Sequence, residues 1–132
     1  MQRKITVGDV FMVNFAGVEH VQRGYRPAVV ISNDKINRYS PNVIVIPLTT
    51  AKKKLSLPTH VLLDAAKNGL HRESVALCEN PMTISKAELK RYCTHLNNYA
   101  LRKIIVALFA AISASVYLDE DSIFVSRWNK TA

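Results

Sequence analysis

The hydrophobic pattern of this 132-residue chain changes period once, near Asn97. Before that point, apolar residues come in short runs bounded by Gly, Pro, Asn and Asp, the punctuation of a β-protein. After it, Leu101, Ile104, Ile105, Leu108, Ala111, Ile112 and Ser115 recur at the i, i+3, i+4, i+7 spacing of one helix face. A chain built this way is expected to form a small, strongly curved sheet or partly open barrel with one terminal helix. That places it in the mainly-β or α+β class.

Five runs predict strands. Asp9–Phe15 follows a Gly-Asp turn. Pro27–Ser32 is stopped by Asn33-Asp34, and Asn42–Leu48 carries Pro47 near its end, which suits an edge or a bulge because proline cannot donate to the ladder. Thr59–Leu63 and Glu73–Glu79 complete the set, divided by Asp64–Arg72, a polar turn that holds Asn68-Gly69. Asn98–Tyr117 reads as one continuous helix capped by Asn97 or Asn98. Val106, Phe109 and Ala110 give that helix a second apolar face, to be buried deeply or shared with a second subunit. Nothing repeats, so residues 1–118 read as a single domain. Residues 119–132 form a C-terminal extension that opens on Asp119-Glu120-Asp121, and the pattern leaves open whether it frays or adds a strand.

Composition excludes several function classes. Eighteen Lys and Arg against ten Asp and Glu give a net charge of +8, which favours a polyanionic partner such as nucleic acid. The longest uncharged run, Ile104–Leu118, has fifteen residues, short of the roughly 20 that a membrane span needs. No apolar signal core follows Met1-Gln2-Arg3-Lys4, so the expected location is the cytoplasm, with no membrane partner. Cys78 and Cys93 make neither a disulfide framework nor a CxxC pair. His71-Arg72-Glu73 resembles half of a zinc deaminase signature, but the Pro-Cys-x-x-Cys half is missing. Cys93-Thr94-His95 is likewise one ligand pair with nothing to complete it, so no metal site is expected. No GxSxG elbow and no Gly-rich phosphate loop is present.

What remains is polar chemistry at strand ends. His20–Pro27 joins the first strand to the second, and Thr49-Thr50 closes the third ahead of Lys52-Lys53-Lys54. If the second and third strands are neighbours, Arg26 and Thr49 share the rim of one groove. A guanidinium fork there can hold two phosphate oxygens, and a threonine hydroxyl adds one more hydrogen bond.

The order and spacing of several strings resemble toxins of the MazF/PemK (Kid) family. The strings are Gly8-Asp9-Val10, Gln22-Arg23-Gly24-Tyr25-Arg26-Pro27 with the Ala28–Asp34 run behind it, Leu48-Thr49-Thr50, Leu57-Pro58-Thr59-His60-Val61, Glu73–Leu77, Thr83-Ile84 and Thr94-His95-Leu96. The resemblance implies an SH3-like barrel that works as a homodimer. It implies an endoribonuclease that cuts single-stranded RNA without ribosome, metal or cofactor, leaving 2′,3′-cyclic phosphate and 5′-OH ends. Arg26 and Thr49 fall on the family's catalytic positions. Arginine holds its proton too firmly to be a good base, so electrostatic stabilisation is the safer role for Arg26, with Thr49 donating to a phosphoryl oxygen. His20, Gln22, Gly24, Tyr25, Lys52, Lys53 and Glu79 are the expected RNA-binding residues, with Tyr25 either stacking on a base or half-buried in the barrel. The expected partners are a cognate antitoxin with an acidic C-terminal segment and, through it, operator DNA. The alternative is a CcdB-like gyrase poison of the same fold, which depends on a Trp-Gly-Ile ending that Trp128-Asn129-Lys130-Thr131-Ala132 does not match. Two features depart from the family pattern: Glu19 stands where relatives often have glycine, and the chain continues to Ala132.

Overall fold

The structure is a computed structural model that describes residues 3–15, 24–50 and 57–118. In chain order the elements are β1 (Asp9–Asn14), β2 (Tyr25–Val30), α1 (Asp34–Tyr39), β3 (Asn42–Thr50), β4 (His60–Leu63), α2 (Ala65–Asn68), β5 (Ser74–Leu77), β6 (Met82–Ser85), β7 (Leu89–His95), α3 (Asn98–Ala111) and α4 (Ala114–Tyr117). The seven strands pair antiparallel in the order β4-β5-β3-β2-β1-β7, with β6 also on β3. The result is a curled sheet that does not close, in keeping with the expected partly open barrel.

The nine-residue β3 organises the curl because three strands share it. Asn42–Val45 pair with β6, Val45–Pro47 with β2, and Leu48–Thr50 with β5. Pro47 sits where the β2 ladder ends and the β5 ladder begins. A residue without an N–H fits this change of partner, although Pro47 is fully buried and not at an open edge.

Strand alternation sends the apolar side chains to two layers. Phe11, Val13, Phe15, Ala28, Val30, Val43 and Val45 fill one side, flanked by Met82, Ile84, Leu89 and Tyr92 of β6 and β7. Val10, Val29, Ile46, Leu48 and Ala76 point the other way, where Leu96, Ala100, Ile104 and Ala107 cover them. Each large aliphatic side chain hidden in this way contributes about 1.5–3 kcal/mol. Gly8 lets α3 lie this close. Its φ is +97°, and a Cβ there would meet Leu101 Cδ1 at 2.7 Å.

Several expectations need correction. The terminal helix is not continuous over Asn98–Tyr117: α3 stops at Ala111, and Ser113, in the left-handed region at φ 61°, separates it from α4. The Asp64–Arg72 turn contains the helical turn α2, capped by the Asp64 carboxylate at Lys67 N (2.8 Å) and closed by left-handed Gly69. Three elements carried no sequence expectation: α1, which Asn33 caps at Ile36 N (2.9 Å), and the strands β6 and β7. Asn97 is the α3 cap, its side-chain oxygen accepting from Ala100 N at 2.8 Å. Among the described residues, no helix is long and apolar enough to cross a membrane. The extension 119–132 lies outside the described residues.

Candidate active site

Arg26 and Thr49 stand just beyond the end of the β2–β3 ladder. Ala28, Val29 and Val30 lie opposite Pro47, Ile46 and Val45. Past Pro47 the strands take other partners: Arg26 lies opposite Val13 of β1, and Thr49 opposite Val75 of β5. Both also alternate to one face: Arg26 follows the parity of Ala28 and Val30, and Thr49 that of Val45 and Pro47. The two residues that the sequence set at one rim thus share a sheet face at adjoining strand ends, where the apolar lining gives way to polar side chains.

The Arg26 side chain is incompletely satisfied. Among the described residues, its Nε is the one buried side-chain nitrogen or oxygen without a hydrogen-bond partner. A buried donor left unpaired costs about 1–3 kcal/mol, more when charged, so such a group persists where something outside the fold answers it. An oxyanion that meets the half-buried guanidinium would supply the counter-charge that the fold does not. Val75, the cross-strand partner of Thr49 in β5, adds an apolar wall that is 3% exposed. Low polarity beside a fixed cation strengthens its hold on an anion.

The other expected site residues are distributed unevenly. Gly24 precedes β2 with φ +93°, and its carbonyl accepts from Phe15 N at 3.0 Å, closing the neck of the β1–β2 connection. No atom lies within 4 Å of where a Cβ of Gly24 would stand, so backbone conformation and not crowding asks for glycine. Tyr25 is 58% exposed, so it is not the half-buried barrel residue of the bland expectation. It pairs with Asn14 and alternates to the face opposite Arg26. Glu79 lies in the turn that follows β5, two residues past its last residue, Leu77. Its carboxylate accepts from Thr59 Oγ1 at 3.1 Å and lies 3.0 Å from His60 Nε2. Burial pushes the Glu79 carboxyl up, but its own backbone amide, His60 and Thr59 outweigh that and hold it below the ordinary carboxylate value. His20, Gln22, Lys52 and Lys53 lie outside the described residues.

Beside the pair, a cleft of about 210 Å³ opens on the other face of the same strand ends, lined by Pro27, Thr50, Ser74, Met12, Cys93, Arg91 and the loop Gly69–Arg72. Sequence reasoning missed it because its walls come from five separate segments. Among the described residues, no three His, Cys, Asp or Glu side chains gather as a metal site would need. Burial pushes the Cys78 thiol up to about 12, with the Glu79 charge adding to the effect.

The family of PemK-like, MazF-like toxins of type II toxin–antitoxin systems matches residues 6–111. The chain belongs to the PemK/MazF toxin family. It is 42% identical over 102 residues to endoribonuclease EndoA of Bacillus subtilis, covering 76% of this chain and 88% of that protein. Among solved structures it is similar to the Mycobacterium tuberculosis toxin MazF-mt6, with a TM-score of 0.66 at 26% identity, covering 80% of this chain and 96% of that one. A mycobacterial endoribonuclease in complex with its cognate antitoxin shares the fold, with a TM-score of 0.67 at 24% identity over 85% of this chain and 96% of the other. Two of the signposts have a visible place in the fold: Gly8 lets α3 pack closely, and Arg26-Pro27 lies in β2 against β1.

Proposed function

We propose that this PemK/MazF member is the endoribonuclease toxin of a type II pair and cuts single-stranded RNA at the rim held by Arg26 and Thr49. The observation that carries the reading is the buried, unanswered Nε of Arg26, which marks its half-buried guanidinium, on the same sheet face as Thr49, as short of a partner. The name of the B. subtilis relative supports the reaction class. The comparisons favour the nuclease over the gyrase-poison alternative.

The chemistry follows from the two side chains. A ribose 2′-OH attacks the adjacent phosphorus, the 5′-oxygen of the next nucleotide leaves, and a 2′,3′-cyclic phosphate remains beside a new 5′-OH. Negative charge grows on the non-bridging oxygens in the transition state. A fixed guanidinium and a hydroxyl donor stabilise that charge more than they stabilise the ground state, which accelerates the step. The substrate supplies its own nucleophile, so the route calls for neither metal nor cofactor.

The chain acts in this reading as a single domain over residues 1–118, in the cytoplasm, as a homodimer. Val106, Ile112, Val116 and Tyr117, 59–82% exposed at the end of the helical segment, form the candidate contact with the second copy. The antitoxin offers an acidic, extended segment whose carboxylates compete with RNA for Arg26 and the basic Lys52-Lys53 stretch. Operator DNA is reached through that partner. The proposal is tested with an RNA whose ribose at the cut position lacks its 2′-OH. That RNA should bind as tightly as the natural one and remain whole; its cleavage at the normal rate would overturn the mechanism.

A further inference from the structure

We infer that the cleft beside Thr50 and Pro27 is a nucleotide subsite that holds an RNA residue flanking the cut. The inference rests on the ribonuclease reading and deepens it. Position comes first. Pro27 and Thr50 line the cleft and are the chain neighbours of Arg26 and Thr49, about 3.8 Å away from Cα to Cα. An RNA strand whose phosphate is held at the pair reaches the cleft by crossing the rim where β2 and β3 meet.

Charge points the same way. The lining contains Arg72, Arg91 and His71 and no Asp or Glu. Both arginines are exposed, and among the described residues neither is paired with a carboxylate. Between them Met12, Pro27, Leu70 and Cys93 make an apolar floor. A guanidinium pair over such a floor suits a nucleotide: the phosphate takes the arginines, and the base lies flat on the apolar side chains. The volume of about 210 Å³ falls below that of pockets for drug-sized ligands and matches one base. An exposed patch kept only for solubility would have no reason to enclose such a floor.

The fold builds the cleft deliberately close. Gly69 ends α2 at φ +66°, and a Cβ there would stand 2.6 Å from Thr94 Oγ1. Thr94 Oγ1 in turn donates to the Asn68 carbonyl at 2.8 Å. Glycine thus lets the loop carrying His71 and Arg72 close onto β7, which carries Arg91 and Cys93. Ser74 Oγ donates to the Arg72 carbonyl at 3.0 Å and fixes the loop's exit.

Cys93 supplies a built-in probe, because Cys78 is fully buried and Cys93 is not. Burial pushes the Cys93 thiol up as well, against the pull of Arg91, so labelling with iodoacetamide is run at alkaline pH. Saturating single-stranded RNA, made uncleavable by a 2′-deoxy ribose at the cut, should slow Cys93 labelling at least about fivefold. Arg72→Ala with Arg91→Ala should abolish that protection, raise KM with kcat kept within about twofold, and make the log–log salt dependence of binding shallower by about 0.7 for the one lost phosphate contact. Arg91→Lys should restore part of the protection. RNA that binds and is cut normally while Cys93 stays as reactive as in the free protein, or a double variant with unchanged KM and salt slope, would overturn the subsite and leave the ribonuclease standing. A protein that neither binds nor cuts RNA would overturn both.

Discussion

Arg26 is held by neighbours that contribute little polar compensation, and its function follows from that deficit. If its guanidinium meets the phosphate more strongly in the transition state than in the ground state, Arg26→Ala should lower the single-turnover cleavage rate by about a hundredfold or more while RNA affinity changes only a few-fold. Thr49→Ala should follow the same split with a smaller loss. Stopped-flow cleavage beside anisotropy binding measures both quantities. Glu79 differs because its carboxylate is already engaged by Thr59 and His60. Its lowered pKa means that the clamp's stabilisation is fully present above the unfolded value near 4.5 and drains away as pH falls through the folded one. Being largely exposed, the clamp is worth under about 1 kcal/mol. Urea melts of Glu79→Gln against the parent chain should therefore differ slightly at pH 7 and coincide near pH 3. That Arg26 and Thr49 stand at the ends of neighbouring strands was legible in the sequence because both follow or precede buried β-branched runs at short, fixed distances. The side to which Tyr25 turns was not, since alternation is set by the ladder to β1 and leaves no local mark.

At the scale of elements, the legible parts were those with a fully buried side. β1, β2 and β3 announce themselves because Val10, Val13, Val29, Val30, Val43 and Val45 are all buried. β7 was illegible for the opposite reason: none of its seven residues is fully buried, so Leu89–His95 carries no clear hydrophobic alternation. β6 has only four residues and borrows its register from β3. The helix boundary was missed because the apolar period runs on past Ala111 while the packing does not. Ile104 lies in the core, but Ile112 is 59% exposed, and Ser113 turns the chain so that Ala114 is buried instead. Two outcomes follow for thermal or urea unfolding. Ile104→Ala should cost about 2–5 kcal/mol through the cavity it leaves. Ser113→Gly should gain about 0.5–1 kcal/mol, because the left-handed conformation penalises serine by more than glycine's extra backbone freedom costs.

For the whole molecule, the division of labour lies between the two layers of the sheet. One layer ends at the strand-end face that carries Arg26 and Thr49, and the other, covered by α3, continues at the same strand ends into the cleft lined by Arg72 and Arg91. Net charge belongs to this scale as well: a surplus of +8 favours a polyanion, which in the proposed reading the two strand-end sites would orient. The family's fold was readable from the strings that build this frame, whereas the cleft was not, because Met12, Pro27, Thr50, the Gly69–Arg72 loop and Cys93 come together only after folding. The claim that joins these levels is that the rim pair suffices for RNA cleavage. Purified protein incubated with single-stranded RNA in excess EDTA, with product ends analysed by mass spectrometry, tests it most directly. The account predicts undiminished cleavage into fragments ending in 2′,3′-cyclic phosphate and beginning with 5′-OH; cleavage that appears only when a divalent ion is restored, or that leaves 5′-phosphate ends, would contradict it.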